Sequence, residues 1–391
     1  MLNRLTRWLQ APPEAKASRA QGAVALYVAG RAVWTPRDYG ALAREGFQKN
    51  AIVHRAVRLV SEAAASLPLA LMSEGRELDS HPLLALLARP NAREGGQRFL
   101  ESLYGHLMVS GNAYVEAVSL DGAPHELHCL RPDRMRVVPD ADGWPAAYEY
   151  AVGAQSVRFP IRDDEAPAPI LHLTLFHPAD DHYGLSPMAA AATALDIHNA
   201  AGAWNKALLD NAARPSGALV VGSATLTDAQ FDRLKSELET NYQGAGNAGR
   251  PLLLEGGLDW KPLSLSPKDM DFVEAKAAAA REIALAFGVP PLLLGLPGDS
   301  TLANYAEANR AFYRQTVIPL VKRTAEALAQ WLAPAYRETL SLEPDLDAIE
   351  ALADERESLW RRVSAAGFLS DDEKREAVGY GRAESGKGRR A

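Results

Sequence analysis

Two long alanine-rich helical segments bracketing a compact insertion constrain this chain more than any other feature. The first lies in "GLSPMAAAATALDIHNAAGAWNKALLDNAARPSG", with Ser186 as N-cap, Pro187 at the first helical position and a stop at Arg214–Pro215. That is roughly 25 helical residues, about 37 Å at the usual rise, longer than a typical globular helix. The second is "SPKDMDFVEAKAAAAREIALAFG", where Ser266, Pro267 and Asp269 form an N-terminal signature and Gly288 supplies the stop. Within it Val273, Ala277, Ala280, Ala284 and Phe287 follow a four-three alternation. Such spacing makes a narrow seam for packing on another long helix rather than a wide core face.

Between these segments, "GALVV", "TLTDAQFDRLKSELETNYQG" and "RPLLLEGGLDWKPLSL" read as strand, helix and strand. The helix of this insertion sets Asp228, Asp232, Glu237 and Glu239 among Arg233 and Lys235, so its outer face is charged and salt-sensitive.

Residues up to 184 read as α+β. "NAIVHRAVRLVSEAAASL" predicts a helix with Ile52, Ala56, Val57, Val60 and Ala63–Ala64 on one face. "LPLALMSEGRELDSHPLLALLARPN" predicts a strand, a turn at Glu74–Gly75 and a short helix ended by Pro90–Asn91. A helix closing on Gly111 follows. Period-two strands with turns at Asp121–Gly122 and Asp142–Gly143 then describe an antiparallel sheet, with "ILHLTLFH" as a further strand.

"REIALAFGVPPLLLGLPGDSTLANY" ends the second long helix with a leucine- and proline-rich loop, because Pro290–Pro291 removes two backbone donors. A helix from about Thr301 to Leu332 follows, with Pro319 as a kink or break. A last strand is read in "ETLSLEPDLDAI", mostly helix over 346–380, and a disordered basic tail in "GRAESGKGRRA".

With 391 residues, 47% hydrophobic and 23% charged, the chain is ordinary globular material able to bury a core. No run approaches the ~20 apolar residues of a membrane span. "MLNRLTRWLQAPP" reads as a short amphipathic stretch rather than a signal peptide, and the single Cys129 gives no disulfide framework, which points to intracellular synthesis. A formal charge of −7 disfavours tight wrapping of nucleic acid but not its passage.

No chemical motif is complete, so no catalytic, cofactor-binding or metal-ligating residue is assigned. "GAGNAG" (244–249) matches a dinucleotide fingerprint in letters, but its helix precedes and its strand follows, the reverse of what pyrophosphate binding needs. "GRAESGKG" lacks the Mg²⁺-binding hydroxyl of a phosphate loop and has no helix after it. His172, His177 and His182, with Asp180 and Asp181, share no helix or strand face and read as surface-loop and strand-end residues. "HELH" (125–128) lies in a strand where positions three apart face opposite sides. Two other readings stay open: an intracellular metal- or nucleotide-dependent enzyme built on those histidines or "GAGNAG", and another structural module such as a capsid or adaptor component.

The ordered stretches "HPLLALLARPN" (81–91), "VSGNAYVE" (109–116), "YGLSPM" (183–188), "NAARPSGAL" (211–219), "GAGNAGRPLLLEGG" (244–257) and "IALAFGVPPLLLG" (283–295) together resemble the portal proteins of tailed bacteriophages. The type is that of long-tailed phages and gene transfer agents. The resemblance implies a portal-type α+β fold: an N-terminal α/β wing (1–184), stem helix 1 (185–213), an inserted clip (214–265) and stem helix 2 (266–288). A tunnel loop (289–301), a kinked long helix returning to the wing (302–345) and a helical crown with a basic tail (346–391) complete it. It further implies a homo-oligomeric ring, usually a dodecamer, at one capsid vertex of a virion or phage-like particle assembled in the bacterial cytoplasm. The implied partners are the major capsid protein, the terminase large subunit, a head–tail adaptor and double-stranded DNA passing without sequence specificity, with no membrane. Leu296, Pro297, Gly298, Asp299, Ser300 and Thr301 would face the DNA channel. The charged clip face would dock partner proteins.

Overall fold

The computed structural model describes residues 34–162, 166–210, 217–221, 258–262, 272–297 and 301–379, together with a few positions between 227 and 236. The readings made above for the N-terminal stretch, the helix start at Ser266, "GAGNAG" and the basic tail lie outside the described residues. Two compact units emerge: one joins Trp34–Ala200 to Glu274–Ala391, and the other joins Met1–Val33 to Ala201–Val273.

The larger unit is built on helices. After a short α1 (Tyr39–Leu42) that runs on as a π-turn (Ala43–Gln48), Asn50 caps α2 (Ala51–Ala65) by accepting from the Ile52 and Val53 amides. Val53, Ala56, Val57, Val60 and Ala64 of α2 are buried, as the helical periodicity requires. They belong to one core with Phe99, Leu103, Tyr104 and Leu107 of α4 (Gly96–Ser110), against which α2 packs. Each such large apolar side chain stabilises the fold by about 1.5–3 kcal/mol. Between them lie the strands β1 (Leu69–Ser73) and β2 (Arg76–Glu77) and the helix α3 (Pro82–Ala88).

Among the described residues of this unit, three antiparallel sheets accompany these helices. β3 (Asn112–Leu120) is flanked by β4 (Ala123–Leu130) and β8 (Ile170–Thr174). β5 (Met135–Pro139), β6 (Pro145–Val152) and β7 (Gln155–Pro160) form a meander. β1 is the centre of a third sheet, between β2 and β11 (Leu340–Pro344). A separate small apolar cluster of Tyr114, Leu130, Met135 and Ile170 includes residues of both the β3 sheet and the meander. The "HPLLALLARPN" stretch works as a latch. His81 Nδ1 caps α3 by accepting from the Leu83 amide, and Asn91 Nδ2 donates to the Leu127 carbonyl of β4 at 2.9 Å.

One expectation needs correction. The helix expected to run unbroken from Ser186 divides into α5 (Pro187–Ala190) and α6 (Ala192–Asp210), with a turn at Ala191. Buried Met188, Ala191, Ala192, Ala194 and Leu195 show why: core packing continues through the turn. The expected kink or break at Pro319 takes the form of a π-turn ending two residues before it. Pro319 is the second residue of α9 (Ile318–Tyr336), which continues that turn with helical backbone at Val317, so its missing N–H falls within a continuous helical run. The irregularity is a π-turn at Tyr313–Val317 joining α8 (Leu302–Phe312) to α9. The last elements among the described residues are α10 (Ala353–Ala365) and α11 (Asp371–Ala377).

In the smaller unit β9 (Gly217–Val221) pairs antiparallel with β10 (Leu258–Pro262), the two strands read in "GALVV" and "GLDWKP". The chain leaves the larger unit along α6 and re-enters it along α7 (Phe272–Ala286).

Candidate functional site

The residues before α5 are held by a backbone-to-backbone joint. Gly111, left-handed at φ 75°, closes α4, and its carbonyl accepts from the Leu175 amide at 2.8 Å. A Cβ on Gly111 would stand 2.5 Å from the Gly184 carbonyl oxygen, and one on Gly184 would stand 2.1 Å from the Gly111 oxygen. Only glycine permits this approach. Asn112 seals it: its Oδ1 accepts from the Gly184 amide at 2.8 Å, and its Nδ2 donates to the Ser110 carbonyl at 2.9 Å. The "SGN" of 110–112 and the "YG" of 183–184 are therefore one structural element.

Past the joint, Thr35 bonds Asp196 through both its amide and its hydroxyl. Asn50 donates to Asn199 Oδ1 at 2.9 Å, and Asn199 donates to the Glu45 carbonyl at 2.9 Å. These contacts fix the N-terminal half of α6 within the larger unit.

The return is anchored through apolar burial on α7. Ala279, Ala280, Ile283, Ala284 and Phe287 are buried within the chain. Of the expected seam, Ala280, Ala284 and Phe287 thus belong to this face, Ala277 is half-buried, and Val273 is 79% exposed. Gly288 ends the helix at φ 63°, and its carbonyl accepts from the Thr316 hydroxyl at 2.6 Å. Thr316 lies in the π-turn, which gives that irregularity a structural task.

The loop base is a 3₁₀ turn, Pro291–Leu294, closed by Gly295 at φ 72°, with Leu293 and Leu294 packed against the main core. Arg281 of α7 donates to the Pro297 carbonyl at 2.8 Å. Leu296 is half-buried and Pro297 exposed, while Gly298, Asp299 and Ser300 lie outside the described residues. Thr301 caps α8, its hydroxyl accepting from the Asn304 amide. On the insertion, Asp232 and Arg233 are exposed. Asp228, Lys235, Glu237 and Glu239 lie outside the described residues.

Of the histidines read as surface-loop and strand-end residues, His172 lies in β8 among aromatic rings. His172 stacks on Tyr114 with ring centroids 4.1 Å apart, meets Tyr148 edge-on and touches Asn112 Oδ1 at 3.1 Å. Burial, and secondarily the nearby His182, lower its pKa from 6.5 to about 4. It is a packing residue behind the joint. Burial pushes the Cys129 thiol up to about 12, the opposite of an activated nucleophile. Among the described residues no group of three or more His, Cys, Asp or Glu side chains could hold a metal ion, and no helix is long and apolar enough to cross a membrane.

Sequence reasoning missed the partners Asn112, Thr316 and Arg281. Gly111 and Gly288 were the available signals, since a helix-ending glycine marks a close approach without naming what approaches.

The sequence profile of the family described as Phage portal protein matches residues 51–379. An uncharacterized protein of Rickettsia bellii is 39% identical over 346 residues, 88% of this chain and 89% of its own length. Among solved structures, a chain in the neck of an empty gene transfer agent particle, computed with C6 symmetry, is similar at a TM-score of 0.71 and 57% identity. That match covers 90% of this chain and 96% of the other. A chain in the neck of the native particle, computed with C12 symmetry, gives 0.68 and 56%, covering 91% and 97%.

Proposed function

The chain belongs to the phage portal protein family, and on that premise we propose that twelve copies close into a ring at one vertex of a phage-like capsid. Double-stranded DNA is packaged and later ejected through its centre. The observation that carries this is the likeness, over 91% of the chain, to a component of a particle neck computed with C12 symmetry.

In this reading residues 185–213 and 266–288 are the stem, 289–301 the tunnel loop and 346–391 the crown. The major capsid protein surrounds the wing (1–184 with 302–345). The clip, 214–265, docks the terminase large subunit during filling and the head–tail adaptor afterwards. Exposed Asp232 and Arg233 suit such a salt-sensitive protein contact. The glycine joint at Gly111–Gly184 and the Gly288–Thr316 contact suit the stem assignment, because they tie down the residues where the proposed stem segments begin and end, 184 and 288. A formal charge of −7 suits a channel that lets DNA slide, since each phosphate-gripping cation adds friction. The chain's part is structural, and no residue is assigned to catalysis, a metal or a cofactor.

Mass measurement and negative-stain imaging of the purified full-length chain test this together. A closed ring with a central channel is the expected result. A monomer or dimer at every concentration and salt condition overturns it.

A further inference from the structure

Asn50 is buried, and every hydrogen-bonding position of its side-chain amide is used. Its Oδ1 accepts from the Ile52 and Val53 amides at 3.0 and 3.1 Å. Those two bonds fix the orientation of the group, since a flipped amide would uncap α2. Its Nδ2 therefore points both hydrogens at α6, one to Asn199 Oδ1 at 2.9 Å and one to His198 Nδ1 at 3.0 Å. With a donor on the Asn50 side, His198 Nδ1 must accept. The imidazole is held neutral, its proton on Nε2.

A positive ring would meet a like charge here. Burial first, and then the half-buried Lys276 of α7, lower the His198 pKa below the ordinary histidine value. On the π-turn, Glu45 gives its carboxylate to Lys49 at 2.7 Å. Asp196 of α6 is engaged by Thr35, and His54 of α2 meets the Phe47 carbonyl at 3.1 Å. Both carboxylates are thus bonded elsewhere, and Lys276 opposes an imidazolium rather than pairing with it. All these groups belong to the larger unit.

We propose that His198 is a proton-sensitive pin: its protonation breaks the bond from Asn50 and sets the ring against Lys276, so that α6 loosens from the α2 cap and from α7. An imidazolium has no free lone pair on either nitrogen, so no ring flip restores the bond. The Asn50 amide cannot turn to meet it without uncapping α2. His198 is only half-buried, so a proton arrives from solvent without unfolding of the core. The bond is complete above about pH 6.5 and is lost as pH falls through the lowered folded value. The pin stands on contacts within one chain. Only its consequence for a ring, a stem root that yields in acid, rests on the stem reading above.

The test follows the full-length parent chain and two variants by mass spectrometry in deuterated buffer. Exchange at the imidazole Cε1 titrates His198 directly. Backbone amide exchange, corrected for the intrinsic effect of pH, reports the protection of residues 192–200 in α6. In the parent, His198 should titrate below the ordinary value of about 6.5, and Lys276→Met should move its midpoint upward. Protection of 192–200 should fall by at least about threefold from about pH 7 to about pH 5. His198→Gln offers a carbonyl to the same Asn50 hydrogen and does not titrate, so it should remove most of that fall. An equal fall in the parent and in His198→Gln overturns the pin, as does a midpoint that Lys276→Met leaves in place. Titration of His198 with no loss of protection in the parent overturns it without reference to any variant. Both readouts are local to one chain, so they decide the pin whether or not rings form.

Discussion

The Thr316 hydroxyl donates to the Gly288 carbonyl at 2.6 Å, joining the π-turn of the long helix to the end of α7. Gly288 has φ 63°, and a Cβ there would stand 2.6 Å from Thr316 Oγ1. Gly288→Ala is expected to cost about 2 kcal/mol, part from left-handed backbone and part from the clash. Thr316→Ala removes one hydrogen bond and is expected to cost about 1 kcal/mol. Combining Gly288→Ala with Thr316→Ala should cost less than the sum, since the smaller side chain relieves the clash. Urea unfolding of the four chains measures this. Strict additivity would mean that the two residues do not act as a pair.

A second expectation concerns pH. Burial lowers both His172 and His106 from 6.5 to about 4, assisted at His172 by His182, and opposed at His106 by Asp133. Between those values the unfolded chain binds protons that the folded chain does not. Stability is therefore complete above about pH 6.5 and falls as pH drops toward 4, by up to about 3 kcal/mol per histidine. His172→Gln, which keeps a donor for Asn112, should flatten roughly half of the decline in melting temperature between pH 6.5 and 4.5. An unchanged slope would sink the assignment to His172.

How much of this was legible before the fold was known depends on whether a signal is local. The helix cap at Ser186, the glycine stops at Gly111 and Gly288, and the hairpin turns are written in adjacent residues, and they stand in the structure as read. The turn at Ala191 carries no local mark, because alanine favours the helix there and only burial of Met188 and Leu195 explains the interruption. Pro319 announced an irregularity but not its form, a π-turn whose Thr316 meets Gly288, 28 residues away in sequence. The surroundings of His172 were not legible because spacing describes faces of single elements, whereas Tyr114, Tyr148 and Tyr183 surround it from separate segments. In the candidate site the loop base was readable from its prolines and leucines. The hold of Arg281 on Pro297 was not, since nothing in an exposed arginine announces a carbonyl partner.

The seam on α7 separates folding from assembly. A charge at Ala280, buried at 2% exposure within its own chain, is expected to destabilise the fold by about 3 kcal/mol and would confound any test of ring formation. Val273, 79% exposed on the same seam, isolates the question. Val273→Asp should leave the melting temperature of the monomer within about 0.5 kcal/mol equivalent yet reduce or abolish rings in negative stain. Normal rings from this variant would remove Val273 from the contacts between stem helices.

The last expectation is for the loop that follows α7. Its base is fixed by the Pro291–Leu294 turn and by Arg281 on Pro297, and its far end by Thr301 capping α8. Removing Gly298 to Ser300 therefore shortens the span between two anchored ends without touching the core residues Leu293 and Leu294. Rings should survive while DNA packaging or retention is impaired. In the channel reading Asp299 repels phosphate, so DNA slides past it. Asp299→Arg reverses that sign, and twelve copies would recruit phosphates around the ring, each held contact adding to the salt dependence. Translocation should slow at low salt and recover as salt rises, measured as DNA packaged per unit time in an assembled particle. If the rate is unchanged at every salt concentration, or if the segment lies on the outer surface of the ring away from its axis, the channel role of this loop fails.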